Sequence, residues 1–298
     1  MIILEGSFTL LTNWLAIMVA KLTGKRVLLY GHGWPRRAHG LREWVRLVFY
    51  NLAEGLLIYG RRARQIGIEN GFDPSKLYVV YNSLNEKDLL YQRRLVTEER
   101  CQALKKELFG KEASWPLLIC VGRLTAAKQL DLLLAAVKQM RGHGQDLNIL
   151  LVGDGPEREA LQEQAKKEGL SAHFTGAVHN EVSLSIYFSA ADATVIPGAA
   201  GLTVIHSLAY GTPVITHDDM NSQGPEAEAV LSGETGFYYL KGDVDSLVRS
   251  INETLSQLPR GETTRRKCIS IVDKYYNPCR MQRVFDEAVS SISAYDTT

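Results

Sequence analysis

The chain has 298 residues, 45% of them hydrophobic, and a formal net charge of +1. That length accommodates two α/β domains, and that apolar fraction excludes a disordered or fibrous protein. The near-neutral balance excludes a general nucleic-acid binder, which needs an excess of Lys and Arg for phosphate contact.

The chain opens on MIIL, a short strand followed by Glu5 with no basic leader region, so no signal peptide is evident. The apolar stretch Phe8 to Ala20 is broken by Thr12 and Asn13 and falls short of the about 20 residues that span a bilayer. It predicts a buried helix running to Leu22. RVLLY (26–30) reads as the next strand, a helix follows across 40–54, and GLLIY (55–59) and LYVVYN (77–82) read as further strands. About four strands are fewer than the usual five or six of a doubly wound domain. The expectation is that the first strands are missing or that the true start lies upstream. Nine Lys and Arg residues lie between Lys25 and Arg64, against only Glu43 and Glu54. Such a stretch either faces anionic lipid of the inner-membrane surface or a phosphorylated acceptor, or forms a solvated helix face.

Residues 86–112, rich in Glu, Lys and Arg, read as a connecting and helical segment. From Trp115 onward the grammar is regular. LLICVG (117–122) precedes a helix at 129–140, NILLVG (148–153) one starting at Pro156, and ATVIP (193–197) one at 202–210, with PVIT (213–216) following. Continuous β-rich runs joined by helices predict a parallel sheet covered on both faces. Cys101, Cys120, Cys268 and Cys279 fall at no metal-ligand spacing, and Cys120 sits inside an apolar run, so they read as reduced thiols of a cytoplasmic protein. The closing segment, 271–298, places Met281, Val284, Phe285 and Val289 at helical spacing. The expected organisation is α/β throughout: a partial first domain at 1–95, a second domain at 96–270 and a closing helix at 271–298.

Chemistry concentrates at strand ends. In VGRLTAAK (121–128) a strand ends at Gly122 and delivers Arg123, with Lys128 at the start of the next helix. Two cations at the carboxyl edge of an open sheet either clamp a diphosphate, Arg bidentately and Lys as a compact charge, or are exposed loop residues. VGDGPE (152–157) reads foremost as a tight strand-to-helix turn, whose Gly153 and Gly155 also permit a ligand to approach the backbone closely. In PGAAGLTVIHSLAYGTPVITHD (197–218), Gly198 and Gly201 surround a turn, and the amides of Gly201, Leu202 and Thr203 could present an anion site. His206 lies one turn along that helix, where a lone His is more often a core or surface residue than a ligand contact. His217 and Asp218, after a strand end, receive no chemical role.

Taken in order, Gly122-Arg123-x4-Lys128, Gly153-Asp154-Gly155-Pro156-Glu157, Phe174-x-Gly176, Gly201-Leu202-x9-Thr212-Pro213-Val214 and Gly233-Glu234-x-Gly236-Phe237 resemble glycosyltransferase family 4, the group 1 glycosyltransferases. The resemblance covers the C-terminal half closely. Upstream, GHGWPRR and VVYNSLN look like late segments of the family's first domain, which would put His32 and Asn82 near its interdomain cleft. The resemblance implies a GT-B fold of two Rossmann-like doubly wound domains, the first incomplete here, and a retaining transfer from a nucleotide sugar with no cofactor and no catalytic metal. It implies catalytic roles for Arg123 and Lys128 on the departing diphosphate and for His32 near the transferred sugar. It implies donor contacts at Gly122, Gly153, Gly155, Gly198, Gly201, Leu202, Thr203, His206 and Glu226, the last within a Pro-Glu pair followed by Glu228. The acceptor it implies is a glycan or lipid-linked one in surface polysaccharide assembly, including lipopolysaccharide, with the enzyme cytoplasmic or peripheral on the membrane.

The family pattern also has a Glu, seven residues and a second Glu, and here Gly198 and His206 occupy those places. Gly198 offers only backbone, whereas His206 retains a hydrogen-bonding ring nitrogen. Two alternatives therefore stand beside transfer: a nucleotide-sugar 2-epimerase, against which the missing acids count, and a non-catalytic nucleotide-sugar binding module.

Overall fold

A computed structural model of the protein describes residues 1–37 and 40–294. Its contacts divide it into two units, 1–83 with 224–228 and the chain's end from 275, and 84–223 with 229–274.

The first unit runs β1 (Ile2–Glu5), α1 (Leu11–Leu22), β2 (Val27–Gly31), α2 (Leu41–Asn51), β3 (Gly55–Ile58), α3 (Arg61–Glu69) and β4 (Leu77–Val79). The strands form a parallel sheet in the order β1-β2-β3-β4. Val27 and Leu29 of β2 pack with Ile17, Ala20, Phe49 and Tyr50 on one face. Their neighbour Leu28 points the other way, as the period of a strand requires.

The second unit runs α4 (Glu86–Leu95), α5 (Glu98–Phe109), β5 (Leu117–Val121), α6 (Leu130–Gly142), β6 (Asn148–Val152), α7 (Arg158–Lys167), β7 (Ser171–Gly176), α8 (Glu181–Ala190), β8 (Ala193–Ile196), α9 (Thr203–Ala209), β9 (Val214–His217), β10 (Gly236–Tyr239), α10 (Val244–Gln257) and α11 (Glu262–Tyr275). Its strands form a parallel sheet in the order β10-β9-β8-β5-β6-β7. Leu118, Cys120 and Leu151 pack under Leu133, Val137 and Met140 of α6 and under Leu247 and Ile251 of α10. Each such side chain, fully buried, contributes about 1.5–3 kcal/mol. The chain then returns to the first unit as α12 (Pro278–Ala294), whose Val284, Ala288 and Ile292 cover Leu28 and Leu57. Both sheets thus have helices on both faces.

Four expectations are corrected. First, α4 belongs to the second unit, so the division falls after Ser83 rather than at 95. Arg93 of α4 donates to Ala209 O at 2.6 Å and pairs with Asp273 at 2.8 Å, tying the helix there. The return to the first unit comes at 275 rather than 271, and residues 295–298 of the expected closing segment lie outside the described residues. Second, α1 is not a buried helix: Ile17 and Ala20 are buried, while Leu11, Leu15, Met18 and Leu22 are exposed, Leu22 by 84%. Strand β1 is a sheet edge, so α1 has a sheet to cover with one face only. Third, the basic run between Lys25 and Arg64 is dispersed. Arg46 is buried in an ion pair with Glu43 (2.7 Å), Arg37 pairs with Glu69 (3.0 Å), and Arg61 donates to Tyr81 Oη and lies over the Tyr275 ring. Fourth, in α12 Val289 is exposed, and Ala288 and Ile292 join Val284 in the core instead. No helix among the described residues is long and apolar enough to cross a membrane.

Candidate functional site

Strands β5 and β8 are neighbours, yet the chain leaves β5 toward β6 on one side and β8 toward β9 on the other. Such a reversal is where ligands of open parallel sheets bind, beyond the strands' carboxyl ends. Two segments emerge there: Gly122–Lys128 after β5 and Pro197–Leu202 after β8. They are in direct contact. Gly198 N donates to Lys128 O at 3.0 Å, Lys128 Nζ donates to Ala199 O at 2.8 Å, and Thr203 Oγ1 donates to Val121 O at 3.4 Å. The structure therefore brings together Gly122, Arg123, Lys128, Gly198, Gly201, Leu202 and Thr203.

Arg123 is exposed, and among the described residues no group pairs with its guanidinium. The N–H groups of Gly201, Leu202 and Thr203 have no acceptor among the described residues, whereas Ala200 N is held by Gln223 Oε1 at 2.6 Å. The same Gln223 donates to Thr216 Oγ1 (2.9 Å) and His217 O (2.8 Å), so it pins the loop after β8 to β9. No sequence motif singled out Gln223, because its three bonds join segments that only the fold brings together.

The glycines have a packing reason to be glycine. A Cβ on Gly153 would stand 1.8 Å from Gly122 O, and one on Gly155 would stand 2.2 Å from Leu124 O. The turn after β6 is thus docked on the backbone that carries Arg123, sealed by Leu124 N to Asp154 O at 2.9 Å. A Cβ on Gly198 would meet Ala127 O at 2.3 Å and Lys128 Cα at 2.8 Å. As packed, this position has no room for any side chain.

His206 is engaged within the protein. Its Nε2 bonds Glu181 Oε1 at 2.7 Å, and its ring stacks on Tyr210 with centroids 5.8 Å apart. Tyr210 Oη donates to the same carboxylate oxygen. Burial pushes the Glu181 carboxyl up, but the bonds from His206 and Tyr210 outweigh it and hold the group below the usual carboxylate range. Glu181 opens α8 next to its cap, Asn180 Oδ1, which accepts from Ser183 N at 2.8 Å. Sequence reasoning passed over Glu181 as one more acidic residue in a first helical turn.

His32 and Glu226 belong to the first unit. His32 is exposed just beyond β2, its ring edge-on to Tyr59 at 4.9 Å. Glu226 is buried and accepts from Asn82 Nδ2 at 3.0 Å, and Glu228 accepts from the Arg61 and Arg62 amides at 2.8 Å each. Gly60 leaves space for that carboxylate, since a Cβ there would stand 2.5 Å from Glu228 Oε1. The Pro-Glu segment expected to contact the donor is thus held within the first unit, with Glu226 on Asn82 and Glu228 capping α3.

A parallel sheet whose connections reverse direction between β5 and β8 defines a doubly wound α/β protein. The family model of the group 1 glycosyl transferases matches residues 103–271, more than half of the chain, and the protein belongs to that family. Among its relatives are a GDP-mannose-dependent α-(1-6)-phosphatidylinositol monomannoside mannosyltransferase of Mycolicibacterium smegmatis and a 2-deoxystreptamine N-acetyl-D-glucosaminyltransferase of Niallia circulans. The first is 28% identical over 175 residues, 55% of this chain and 44% of the relative. The second is 28% identical over 185 residues, 60% of this chain and 45% of the relative. The matched stretch is less than half the length of either. Among solved structures, Anabaena HepE in complex with UDP superposes with a TM-score of 0.75 at 18% identity, covering 97% of this chain and 78% of that one. The lipopolysaccharide outer core galactosyltransferase WaaB gives 0.70 at 16% identity, covering 97% and 75%. The fold is therefore of the GT-B type, with two Rossmann-like units.

Proposed function

We propose that the protein transfers a glycosyl residue from a nucleoside-diphosphate sugar to a glycan or lipid-linked acceptor, with retention at the anomeric carbon and without a resident metal. The observation that carries this reading is Arg123, an exposed guanidinium with no partner among the described residues at the β5–β8 switch point, on the same segment as Lys128 and across from the Gly201, Leu202 and Thr203 amides, which likewise have no acceptor among the described residues. In the reaction the bond from the anomeric carbon to the diphosphate breaks, and the nucleoside diphosphate departs carrying the negative charge. Arg123 would meet that charge bidentately, and Lys128, with one donor on Ala199 O, keeps two more. Preorganised positive charge aimed at a leaving group is commonly the largest single contribution to such catalysis. His32, exposed just beyond β2 in the first unit, is proposed as a hydrogen-bonding group for a sugar.

The lipid-linked acceptor is supported by the mannosyltransferase relative, whose named acceptor is a phosphatidylinositol mannoside. The exposed apolar stripe Leu11, Leu15, Met18 and Leu22 on α1 supports peripheral attachment to the cytoplasmic face of a membrane, in place of the dispersed basic run. Surface polysaccharide assembly is the proposed setting.

Titration calorimetry of Arg123→Ala with UDP and with GDP tests the reading. Loss of a charge-assisted contact, worth about 1.5–3 kcal/mol, weakens binding about ten- to hundredfold. Unchanged affinity for whichever nucleotide the wild type binds would show that the diphosphate does not sit there. One observation favours a second reading, a binding module without turnover: position 198 is a Gly, which offers only backbone, where the family carries an acid. Nucleotide-sugar binding with no release of nucleoside diphosphate in the presence of acceptor lipids would select it.

A further inference from the structure

We infer that the amino edge of the second sheet carries a binding site for a phosphate group, built from Arg265, Ser189 and the first amides of α11. The site lies at the opposite edge of the sheet from Arg123, and the inference does not depend on the nucleotide-sugar reading.

A cavity of about 360 Å³ opens where β8 and β9 begin, between the end of α8, the turn 210–213 and the start of α11. Four charged side chains line it, Glu98, Arg260, Glu262 and Arg265, and they are not equivalent. Arg260 is fully engaged: its Nε donates to Ser189 O at 2.9 Å, and Nη1 and Nη2 hold the two oxygens of Glu98 at 2.9 and 2.6 Å. Glu262 accepts from Arg266 Nε at 2.6 Å. Each carboxylate is thus matched by its own cation.

Arg265 has no carboxylate partner among the described residues. Its Nη1 donates to Tyr210 O at 3.1 Å, and its Nε and Nη2 have no acceptor there. Those two N–H groups form the edge by which a guanidinium grips an oxyanion bidentately. Burial, with Arg93 and Arg260 close by, pulls this guanidinium below its usual range despite Glu262, as an unmatched cation requires. The turn is shaped around it: Gly211 has φ +84°, and a Cβ there would stand 2.4 Å from Arg265 Cγ.

Two further groups lack partners at the same cavity. Ser189 lines it and is 7% exposed, and its Oγ makes no hydrogen bond among the described residues. A buried hydroxyl left unpaired is costly, and a phosphate oxygen would accept from it. The N–H groups of Glu262, Thr263 and Thr264, in the first turn of the 14-residue α11, also have no acceptor among the described residues. They add the positive end of a helix dipole. At about 30 Å³ per water the cavity has room for roughly twelve, so it accommodates either a free phosphate or a phosphate monoester with a small organic part.

A tie between α11 and the 210–213 turn would also use Arg265. Such a tie contributes to stability whether or not phosphate is present, whereas a binding group contributes to phosphate affinity.

The test is calorimetric titration of the full chain with inorganic phosphate and with glycerol 3-phosphate at constant ionic strength. Arg265→Gln, Arg265→Lys and Ser189→Ala are each made in an Arg123→Ala background, so that the switch-point guanidinium is absent throughout. The background protein should bind, and Arg265→Gln should bind about tenfold or more weakly. Arg265→Lys keeps the charge without the fork and should lose most of the affinity too. Ser189→Ala should weaken binding about two- to tenfold without lowering the phosphate-free urea midpoint, a combination that a structural hydroxyl does not give. Tighter binding of glycerol 3-phosphate supports a monoester as the ligand, and equal or weaker binding supports the free ion. A background protein that binds neither compound, or an Arg265→Gln or Arg265→Lys protein that binds as the background does, overturns the inference.

Discussion

Replacing Gly198 with Ala adds a single methyl at the point where the two site-forming segments touch. That Cβ would lie 2.3 Å from Ala127 O and 2.8 Å from Lys128 Cα, whereas ordinary contact begins at 3.4 Å. Both obstructing atoms are backbone, so no side chain can swing aside. The 126–128 turn would have to retreat by roughly 1 Å, and overpacking of this kind costs about 1–3 kcal/mol. Retreat also lengthens the Gly198 N to Lys128 O bond, now 3.0 Å, and carries Lys128 away from the switch point. A displacement of about 1 Å in a positioning element can lower turnover about a hundredfold. Urea unfolding should show a lower midpoint with an unchanged slope, and titration with UDP and GDP should show weakened binding. Gly198→Glu meets the same backbone and should behave no better, although it restores the family's residue. A Gly198→Ala protein with wild-type midpoint and wild-type nucleotide affinity would refute the close packing on which this reasoning rests.

On α1, Leu15→Gln should change stability by less than about 0.5 kcal/mol, because Leu15 is 61% exposed, while Ile17→Ala at a fully buried position should cost about 2–5 kcal/mol. The same Leu15→Gln protein should sediment less with lipid vesicles if the stripe is a membrane contact. The depressed carboxyl of Glu181 gives a pH prediction. An acid whose folded pKa lies below its unfolded value, about 4.3 for Glu, contributes stability above that value and loses it as pH falls through the folded pKa. The stability gap between wild type and Glu181→Gln, read from urea midpoints, should therefore be full near pH 6 and shrink in the acid range below about pH 4.3. A gap constant across that range would mean that the charge of Glu181 contributes nothing to the tie with His206.

The parts of the fold legible in the sequence are those where burial is two-sided. LLICV, NILLV and ATVI are central strands of the second sheet, and their continuous apolar runs follow from helices on both faces. Strands β7 and β10 escaped strand prediction because they are the two sheet edges, and SAHFTG and GFYY lack a continuous aliphatic run. The error on α1 has the converse cause. Its residues are apolar on both sides, so composition alone reads as burial, and only the position of β1 at a sheet edge leaves one side open. In the site, Arg123 and Lys128 were legible because a strand-end cation is a local feature. The roles of Glu181 and Gln223 were not, since Glu181 meets His206 across 25 residues and Gln223 meets Ala200 across 23.

The two departures from the family pattern bear on whether the site was abandoned or rebuilt. Drift after loss of function predicts unfilled space and unpaired groups where the acids once stood. At Gly198 the opposite is found, since the 126–128 turn closes onto the vacated position and makes a hydrogen bond to its amide. At His206 the imidazole is bonded to the Glu181 carboxylate of α8, stacked on Tyr210 and flanked by the tilted ring of Phe188. An acid at 206 would repel Glu181, so the pair is consistent only as it stands, with the negative charge on α8 and its donor on α9.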